Sequence, residues 1–234
     1  MHLPTTAAIL AGGLGTRLRP AVADRPKPLA RVADRPFISF LLDQLEAAGV
    51  RDAVLLTGHR AEQVRDELGE RHGSMLLRYS REGEPRGTAG AVRLALPMID
   101  ADTLLLLNGD SFCDADLDAF ARFHTPGQCS LLLARVEDGE RFGQVNADEE
   151  GTVHGFAEKG TSCGPAWVNA GVYLLPRSLV RMIPPDRPVS LEREVFPRLA
   201  RDGELRGYRQ GAAFLDIGTP ESYARAEAFV ATPV

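Results

Sequence analysis

The sequence predicts an α/β fold: a mixed, mostly parallel sheet with helices on both faces. Three observations carry this. Short apolar runs of strand length recur at residues 7–11, 54–57 and 103–107. Between them lie stretches whose apolar residues fall at helical spacing. The first two of these stretches close on Gly49 and Gly69, the residue type best suited to end a helix. Strand, helix, strand at this pace builds parallel neighbours, because a parallel pair needs a crossover. A chain of 234 residues is long enough to bury a sizeable core.

Taken in order, residues 7–11 form a buried strand that breaks into a glycine-rich loop. Residues 32–36 read as a turn-rich connector. Residues 37–48 place Phe37, Ile38, Leu41, Leu42 and Leu45 at helical spacing. A strand at 54–57, a helix at 61–68 and a strand at 75–79 follow. The loop from Ser80 then runs through Pro85 and Gly87 into a helix at 88–96. The start of that helix suits an anion or a polar ligand edge; an ordinary helix with Thr88 near its cap reads equally well. The most apolar strand, 103–107, ends at Asn108-Gly109-Asp110-Ser111. Asp114, Asp116 and Asp118 mark a solvated face and a helix start. Residues 130–136 form a strand, and a hairpin turns at Glu150-Gly151 between arms 144–146 and 153–156. A strand at 168–175 precedes helices at 178–183 and 191–200, the second capped by Ser190. Residues 205–208 and a segment ending at Asp216 are strands. A last helix, 221–231, opens with Thr219 as cap and Pro220 in its first turn.

Composition narrows the function. The net charge of −5 disfavours a general nucleic-acid or anionic-membrane partner. No apolar stretch has the length of a transmembrane helix, and Met1-His2-Leu3-Pro4 lacks the features of a signal peptide. Cys113, Cys129 and Cys163 fit neither a zinc site nor a disulfide framework; they are expected to be free thiols in the cytoplasm. The chain has 27 basic residues, of which two, Lys27 and Lys159, are lysines. Where arginine fills every other basic position, a surviving lysine suggests a need for a compact ammonium.

The chemistry concentrates in the first thirty residues. Leu10-Ala11-Gly12-Gly13 leads to Gly15-Thr16-Arg17, and Lys27 follows between two prolines. The glycines permit unusual backbone angles and close approach of a ligand. A run of loop N–H groups makes an anion-binding concavity, and Arg17 and Lys27 add charge around a polyphosphate. The spacing matches neither the G-x-x-x-x-G-K-[ST] phosphate loop nor the G-x-G-x-x-G dinucleotide fingerprint, which disfavours a nicotinamide-dependent dehydrogenase. Asp110, at the carboxyl end of its strand, sits where α/β sheets bind ligands and suits a hard cation such as Mg²⁺.

The stretch G-G-x-G-T-R-L-x-P with a downstream K-P resembles the signature of sugar-1-phosphate nucleotidyltransferases. The resemblance extends from Ala8 to about Phe229 and is nearest to heptose 1-phosphate guanylyltransferases, through Leu191-Glu192-Arg193-Glu194 and the segment Phe214 to Glu221. It implies a Rossmann-like nucleotide-diphospho-sugar transferase fold in one domain over 1–234, with the N-terminal half holding the NTP and residues 130–215 the sugar phosphate. It implies that Leu10, Ala11, Gly12, Gly13, Gly15, Thr16 and Arg17 bind the nucleotide together with Glu82, Gly87, Thr88 and Asp110. Asp110 and Asp216 would hold Mg²⁺. Asn108, Gly143, Glu158, Lys159, Asn169 and Gly171 would bind the sugar phosphate, and Arg17, Lys27 and Asp110 would carry catalysis. Glu82 offers two acceptors side by side, which suits the N1–H and 2-amino group of guanine and favours GTP. Mannose 1-phosphate as acceptor, a uridylyltransferase, and a nucleotide-binding regulator without catalysis remain as alternatives. The partners implied are an NTP and a sugar 1-phosphate, with a homodimer compatible.

Overall fold

The computed structural model describes residues 1–231 except 14, 16, 17, 19, 23, 24, 158, 159 and 161–163. In chain order the elements are β1 (Thr6–Leu10), β2 (Arg31–Val32), β3 (Arg35–Pro36), α1 (Ile38–Ala47), β4 (Asp52–Thr57), α2 (Ala61–Leu68), β5 (Arg71–His72) and β6 (Met75–Arg81). They continue with α3 (Gly87–Ala95), β7 (Thr103–Asn108), β8 (Ser111–Cys113), α4 (Leu117–Phe123), β9 (Cys129–Val136), β10 (Gln144–Ala147), β11 (Val153–Ala157) and β12 (Ala166–Pro176). The chain ends with α5 (Arg177–Arg181), α6 (Phe196–Arg201), β13 (Leu205–Gln210), β14 (Phe214–Asp216), α7 (Pro220–Ala224) and α8 (Ala226–Ala231).

Among the described residues, ten strands form one mixed sheet. Its centre, β7-β1-β4-β6, is parallel throughout. The long strand β12 then lies antiparallel to β7 through Val172–Pro176 and antiparallel to β9 on its other side. β10 joins β12 at Gln144 opposite Val168 and carries β11 as a hairpin partner, while β13 runs parallel to β9. A small ribbon, β14 antiparallel to β8, stands beside the end of β7. The expected α/β architecture is present, with the parallel part in the N-terminal half and the antiparallel additions in the C-terminal half.

The two-residue period of the strands explains the helices on both faces. Ala7 and Ile9 of β1, with Leu105 and Leu107 of β7, point into one core with Leu41, Leu42 and Leu45 of α1 and Phe120 of α4. Ala8, Leu104 and Leu106 point the other way, into a core with Val92 of α3, Val180 of α5 and Phe196 of α6. β7 reads as a continuous apolar run because both its faces are covered, as expected of a central parallel strand.

Several predicted boundaries shift for identifiable reasons. The connector at 32–36 contains the miniature ribbon β2–β3, with Ala33 and Asp34 both at positive φ. The predicted helix at 191–200 begins as a π-turn over Leu191–Val195, in which the Val195 N–H donates to the Ser190 carbonyl at 3.2 Å, and becomes α-helical at Phe196. The last helix is two helices meeting at Arg225. Its start is as expected: Thr219 caps it, and Ser222 completes a reciprocal box. Gly49 closes α1 at φ +83°. Asp116 caps α4 by accepting from the Ala119 N–H at 2.8 Å. Cys113 and Cys129 are buried free thiols; Cys163 lies outside the described residues.

Candidate active site

The carboxyl ends of β1, β4 and β7 open onto one cavity of about 660 Å³. This is where an open α/β sheet leaves room for a ligand, since the connections to the next elements diverge there. Leu10, Gly12, Gly13 and Gly15 line it from β1 and the loop behind it, and Lys27 from the turn that follows. Glu82, Gly87 and Thr88 line the opposite wall, and Asn108 and Asp110 the floor at the end of β7. Ten residues expected from sequence to bind or act on the nucleotide or sugar phosphate therefore meet in one place. Ala11 is buried beneath the loop, where its N–H donates to the Leu56 carbonyl at 2.8 Å and fixes the loop to β4. Thr16 and Arg17 lie outside the described residues.

Glycine is required where the walls approach. A Cβ on Gly12 would stand 3.0 Å from Glu82 Oε1, and one on Gly58 3.2 Å from the same oxygen. The two glycines thus leave the space that the Glu82 carboxylate occupies. Its other oxygen accepts from the Arg86 N–H at 2.9 Å. Burial pushes the Glu82 carboxyl above the usual carboxylate range, against the opposing pull of the Arg86 N–H and guanidinium. At Gly109 the backbone N–H donates to the Leu10 carbonyl at 2.9 Å, and a Cβ would collide with that oxygen. The turn after β7 is thereby drawn tight against β1, which sets Asp110 in the cavity.

Lys27 Nζ pairs with Asp110 Oδ2 at 2.5 Å. The lysine side chain is 10% exposed and the aspartate 38% exposed, so the ammonium is held under the floor with the carboxylate at the surface of the cavity. Asp216 is brought beside this pair by the ribbon: it stands opposite Ser111, and the neighbouring Ile217 N–H donates to the Asp110 carbonyl at 3.0 Å. Asp216 Oδ1 accepts from the Gly218 N–H, and Gly218 lines the cavity. Among the described residues no group of three or more His, Cys, Asp or Glu side chains is arranged for a metal ion. Asp110 and Asp216 are two hard carboxylates from adjacent strand ends. That donor set fits Mg²⁺, which binds through one or two carboxylates and takes its remaining ligands from phosphate and water.

Of the two readings for the start of α3, the Thr88 cap is corrected. The Ala89 and Gly90 N–H groups both donate to the Val189 carbonyl, at 3.0 and 3.4 Å. A carbonyl 100 residues away in sequence thus takes two N–H groups of the first turn, and Thr88 is not the cap. Thr88 Oγ1 instead donates to Glu192 Oε2 at 2.7 Å and accepts from the Leu191 N–H at 2.8 Å. Gly87, at φ +72°, is needed because a Cβ there would collide with Val189. Glu192 enters the cavity lining through these bonds. Sequence reasoning gave it no site role, although the Leu191 to Glu194 segment carried part of the family resemblance and Ser190 was read as the cap that starts the turn.

The residues expected to hold the sugar phosphate divide. Asn108 and Asn169 both donate from Nδ2 to the buried Tyr173 hydroxyl, at 3.3 and 3.0 Å. Asn169 Oδ1 accepts from the Gly171 N–H at 2.9 Å. Gly171, at φ +79°, could not carry a Cβ without coming 2.5 Å from Ser111 Oγ and 3.0 Å from Asn108. These residues join the end of β7 to β12. Asn108 Oδ1 is buried with no partner among the described residues. Gly143 immediately precedes β10, outside the lining of this cavity. Glu158 and Lys159 lie outside the described residues.

Comparison with known proteins adds the family. The nucleotidyl transferase family model matches residues 6–232. The chain belongs to that family. A mannose-1-phosphate guanylyltransferase of Mycobacterium tuberculosis is 38% identical over 95% of this chain and 63% of its own length. A mannose-1-phosphate guanyltransferase of Schizosaccharomyces pombe is 35% identical over 93% of this chain and 62% of its own length. The chain thus spans a little over three-fifths of these curated relatives. HddC from Yersinia pseudotuberculosis, solved in complex with GMP-PN, superposes with a TM-score of 0.86 at 31% identity, over 95% of this chain and 98% of that one. The fold is that of the nucleotide-diphospho-sugar transferases.

Proposed function

We propose that the protein transfers a guanylyl group from GTP to a sugar 1-phosphate and releases pyrophosphate. The observation that carries the reading is the Lys27–Asp110 pair at 2.5 Å, set between the glycine loop and the end of β7 in the same cavity as Glu82. The cavity brings the Lys27 ammonium and the glycine-loop backbone, suited to phosphate, together with the Glu82 carboxylate, suited to a base with two adjacent donors.

In this reading an oxygen of the sugar phosphate attacks the α-phosphorus of GTP, and the bond from that phosphorus to the β-phosphate oxygen breaks. The attacking phosphate is already an anion, so no protein nucleophile and no general base is required. Catalysis is then positioning and charge stabilisation. The loop from Gly12 to Gly15, with Thr16 and Arg17, holds the β- and γ-phosphates. Lys27 places its ammonium on the transferring phosphoryl group. Asp110 and Asp216 would hold Mg²⁺, which would supply charge neutralisation to the phosphates. Glu82 accepts from guanine, and Gly87 with Thr88 shapes the wall beside it. Asn108, Asn169 and Gly171 face the acceptor sugar, the unpartnered Asn108 Oδ1 offering an acceptor to a sugar hydroxyl. Gly143, Glu158 and Lys159 complete the sugar-phosphate half, with Lys159 neutralising the acceptor phosphate. The parallel centre of the sheet holds the nucleotide and β9 to β12 the acceptor.

For the acceptor, heptose 1-phosphate rests on the resemblance carried by Leu191 to Glu194 and Phe214 to Glu221. Mannose 1-phosphate is the second reading, favoured by the names of the curated relatives. GTP is an intracellular metabolite, which assigns the protein to the cytoplasm. No helix among the described residues is long and apolar enough to cross a membrane. The test is pyrophosphate release with Mg²⁺ across GTP, UTP, dTTP, ATP and CTP against heptose, mannose, glucose and N-acetylmuramate 1-phosphates. A GTP signal with heptose or mannose 1-phosphate is expected and names the acceptor. A UTP signal would overturn the base assignment. Nucleotide binding with no turnover on any pair would favour a regulator.

A further inference from the structure

Glu192 is an acidic cavity residue, held by hydrogen bonds, that the proposed reaction leaves without a task. It is carried by the π-turn Leu191–Val195, a local geometry that costs hydrogen-bond quality and recurs at functional sites. Its carboxylate is oriented on one side only. Thr88 Oγ1 donates to Oε2 at 2.7 Å, and Ser190 Oγ donates to the same oxygen at 2.9 Å. Among the described residues Oε1 takes no hydrogen bond, and the side chain lines the cavity. Two hydroxyls committed to one oxygen leave a fixed carboxylate whose second oxygen is an acceptor without a donor.

Its position says what donor it suits. Thr88, which holds it, adjoins Gly87 on the wall shared with Glu82. Glu192 and Asp110 both lie near enough to the buried Tyr173 hydroxyl to oppose its ionisation. Through its bond to Thr88, Glu192 is anchored on the Gly87–Thr88 wall beside Glu82, in the cavity that also holds Asp110. In a nucleoside triphosphate the group between base and phosphates is the ribose. A carboxylate oxygen there meets hydroxyl donors, not a phosphate, which it would repel.

We propose that Glu192 is a specificity-determining residue that accepts a hydrogen bond from a sugar hydroxyl in the cavity, that of the ribose by its position. The inference rests on the nucleotidyl-transfer reading for the identity of the ligand. The acceptor sugar could supply the same hydroxyl chemistry, and the test separates the two sources. Binding of GTP, 2′-deoxy-GTP and 3′-deoxy-GTP is measured by calorimetry on the wild type, Glu192→Gln and Glu192→Ala, alongside KM for GTP and for the sugar 1-phosphate. In the wild type, loss of one ribose hydroxyl should weaken binding about ten- to hundredfold, the range for a hydrogen bond to a charged group. In Glu192→Ala that ratio should fall to near one, and Glu192→Gln should keep part of it. If the deoxy ratio is unchanged and only the KM for the sugar phosphate rises, the hydroxyl belongs to the acceptor. If both variants keep the wild-type ratio and both KM values, the proposal is overturned, and a lowered melting temperature alone would leave Glu192 a brace for α3. Wild-type binding without turnover would sink the catalytic reading while the deoxy ratio still decides Glu192. No binding of any of these nucleotides would sink both.

Discussion

Replacing Gly87 by alanine should loosen the wall of the cavity and lower stability by an amount that can be worked from the structure. Gly87 sits at φ +72°, a conformation that costs a non-glycine residue about 1–2 kcal/mol. The added Cβ would also collide with the Val189 carbonyl oxygen and stand 2.8 Å from its carbon and 3.1 Å from the Val189 nitrogen. These are backbone atoms and cannot rotate aside. Moving them breaks the bonds from the Ala89 and Gly90 N–H groups at 3.0 and 3.4 Å, each worth about 1 kcal/mol net. Alanine restricts the unfolded chain, which returns about 0.4–1 kcal/mol. The net loss is about 3 kcal/mol, or roughly 6–12 °C in Tm for a chain of this size. Urea unfolding with an unchanged m value would report it. Gly155→Ala is the control, since a Cβ there meets nothing within 4 Å and should move the midpoint by less than about 0.5 kcal/mol. Equal midpoints for the two variants would refute the claim that Val189 caps α3 through the space Gly87 leaves.

Three further outcomes are expected. Lys27→Ala, and separately Asp110→Asn, should lower kcat by about 10²–10³; Lys27→Ala should change stability in urea by only about 1–2 kcal/mol because the Asp110 carboxylate it leaves is 38% exposed, and Asp110→Asn should cost more, about 3 kcal/mol, because it leaves a mostly buried ammonium without its counter-charge; substantial turnover in either variant would remove that residue from the mechanism. Burial raises the Glu82 pKa, so the folded state holds that proton more tightly than the unfolded chain. Stability should fall as pH rises from the ordinary 4.5 through the raised folded value, Glu82→Gln should abolish this fall, and its preference for GTP over ATP in binding should shrink; an unchanged pH profile and preference would contradict the assignment. His124 is buried, with Nδ1 on Ser130 Oγ at 2.8 Å and Nε2 without a partner among the described residues. Burial, and then the N-terminal ammonium, holds its pKa down to about 4, so stability should be lost as pH falls from 6.5 towards that value; a His124→Gln variant with the same acid profile would sink this.

Much of the site was legible because its parts are local. Leu10 to Gly15 and Gly109-Asp110 are each a strand end running into glycine, and the carboxyl ends of neighbouring parallel strands lie side by side by construction. Thr219, Pro220 and Ser190 are legible as helix starts for the same reason, since a cap acts within four residues. What was not legible depends on contacts between distant segments. The Val189 carbonyl that fills the start of α3, and the Glu192 carboxylate anchored on Thr88, lie 100 and 104 residues from their partners. No local pattern marks a backbone carbonyl as a helix cap. The π-turn at Leu191–Val195 is invisible to spacing, because one extra residue in a turn leaves the apolar face nearly unchanged. The break at Arg225 likewise carries no glycine or proline to announce it.

The central claim is direct transfer of a guanylyl group onto a sugar 1-phosphate in the cavity held by Lys27, Asp110 and Glu82. It is tested most directly by following GTP radiolabelled at the α-phosphorus through a single turnover with Mg²⁺ and heptose or mannose 1-phosphate. The account predicts that the label moves wholly into a sugar nucleotide, with none retained on the protein and none transferred by Lys27→Ala on the same timescale. Label that remains covalently on the protein, or that stays in GTP while the folded wild type binds it, would contradict the account.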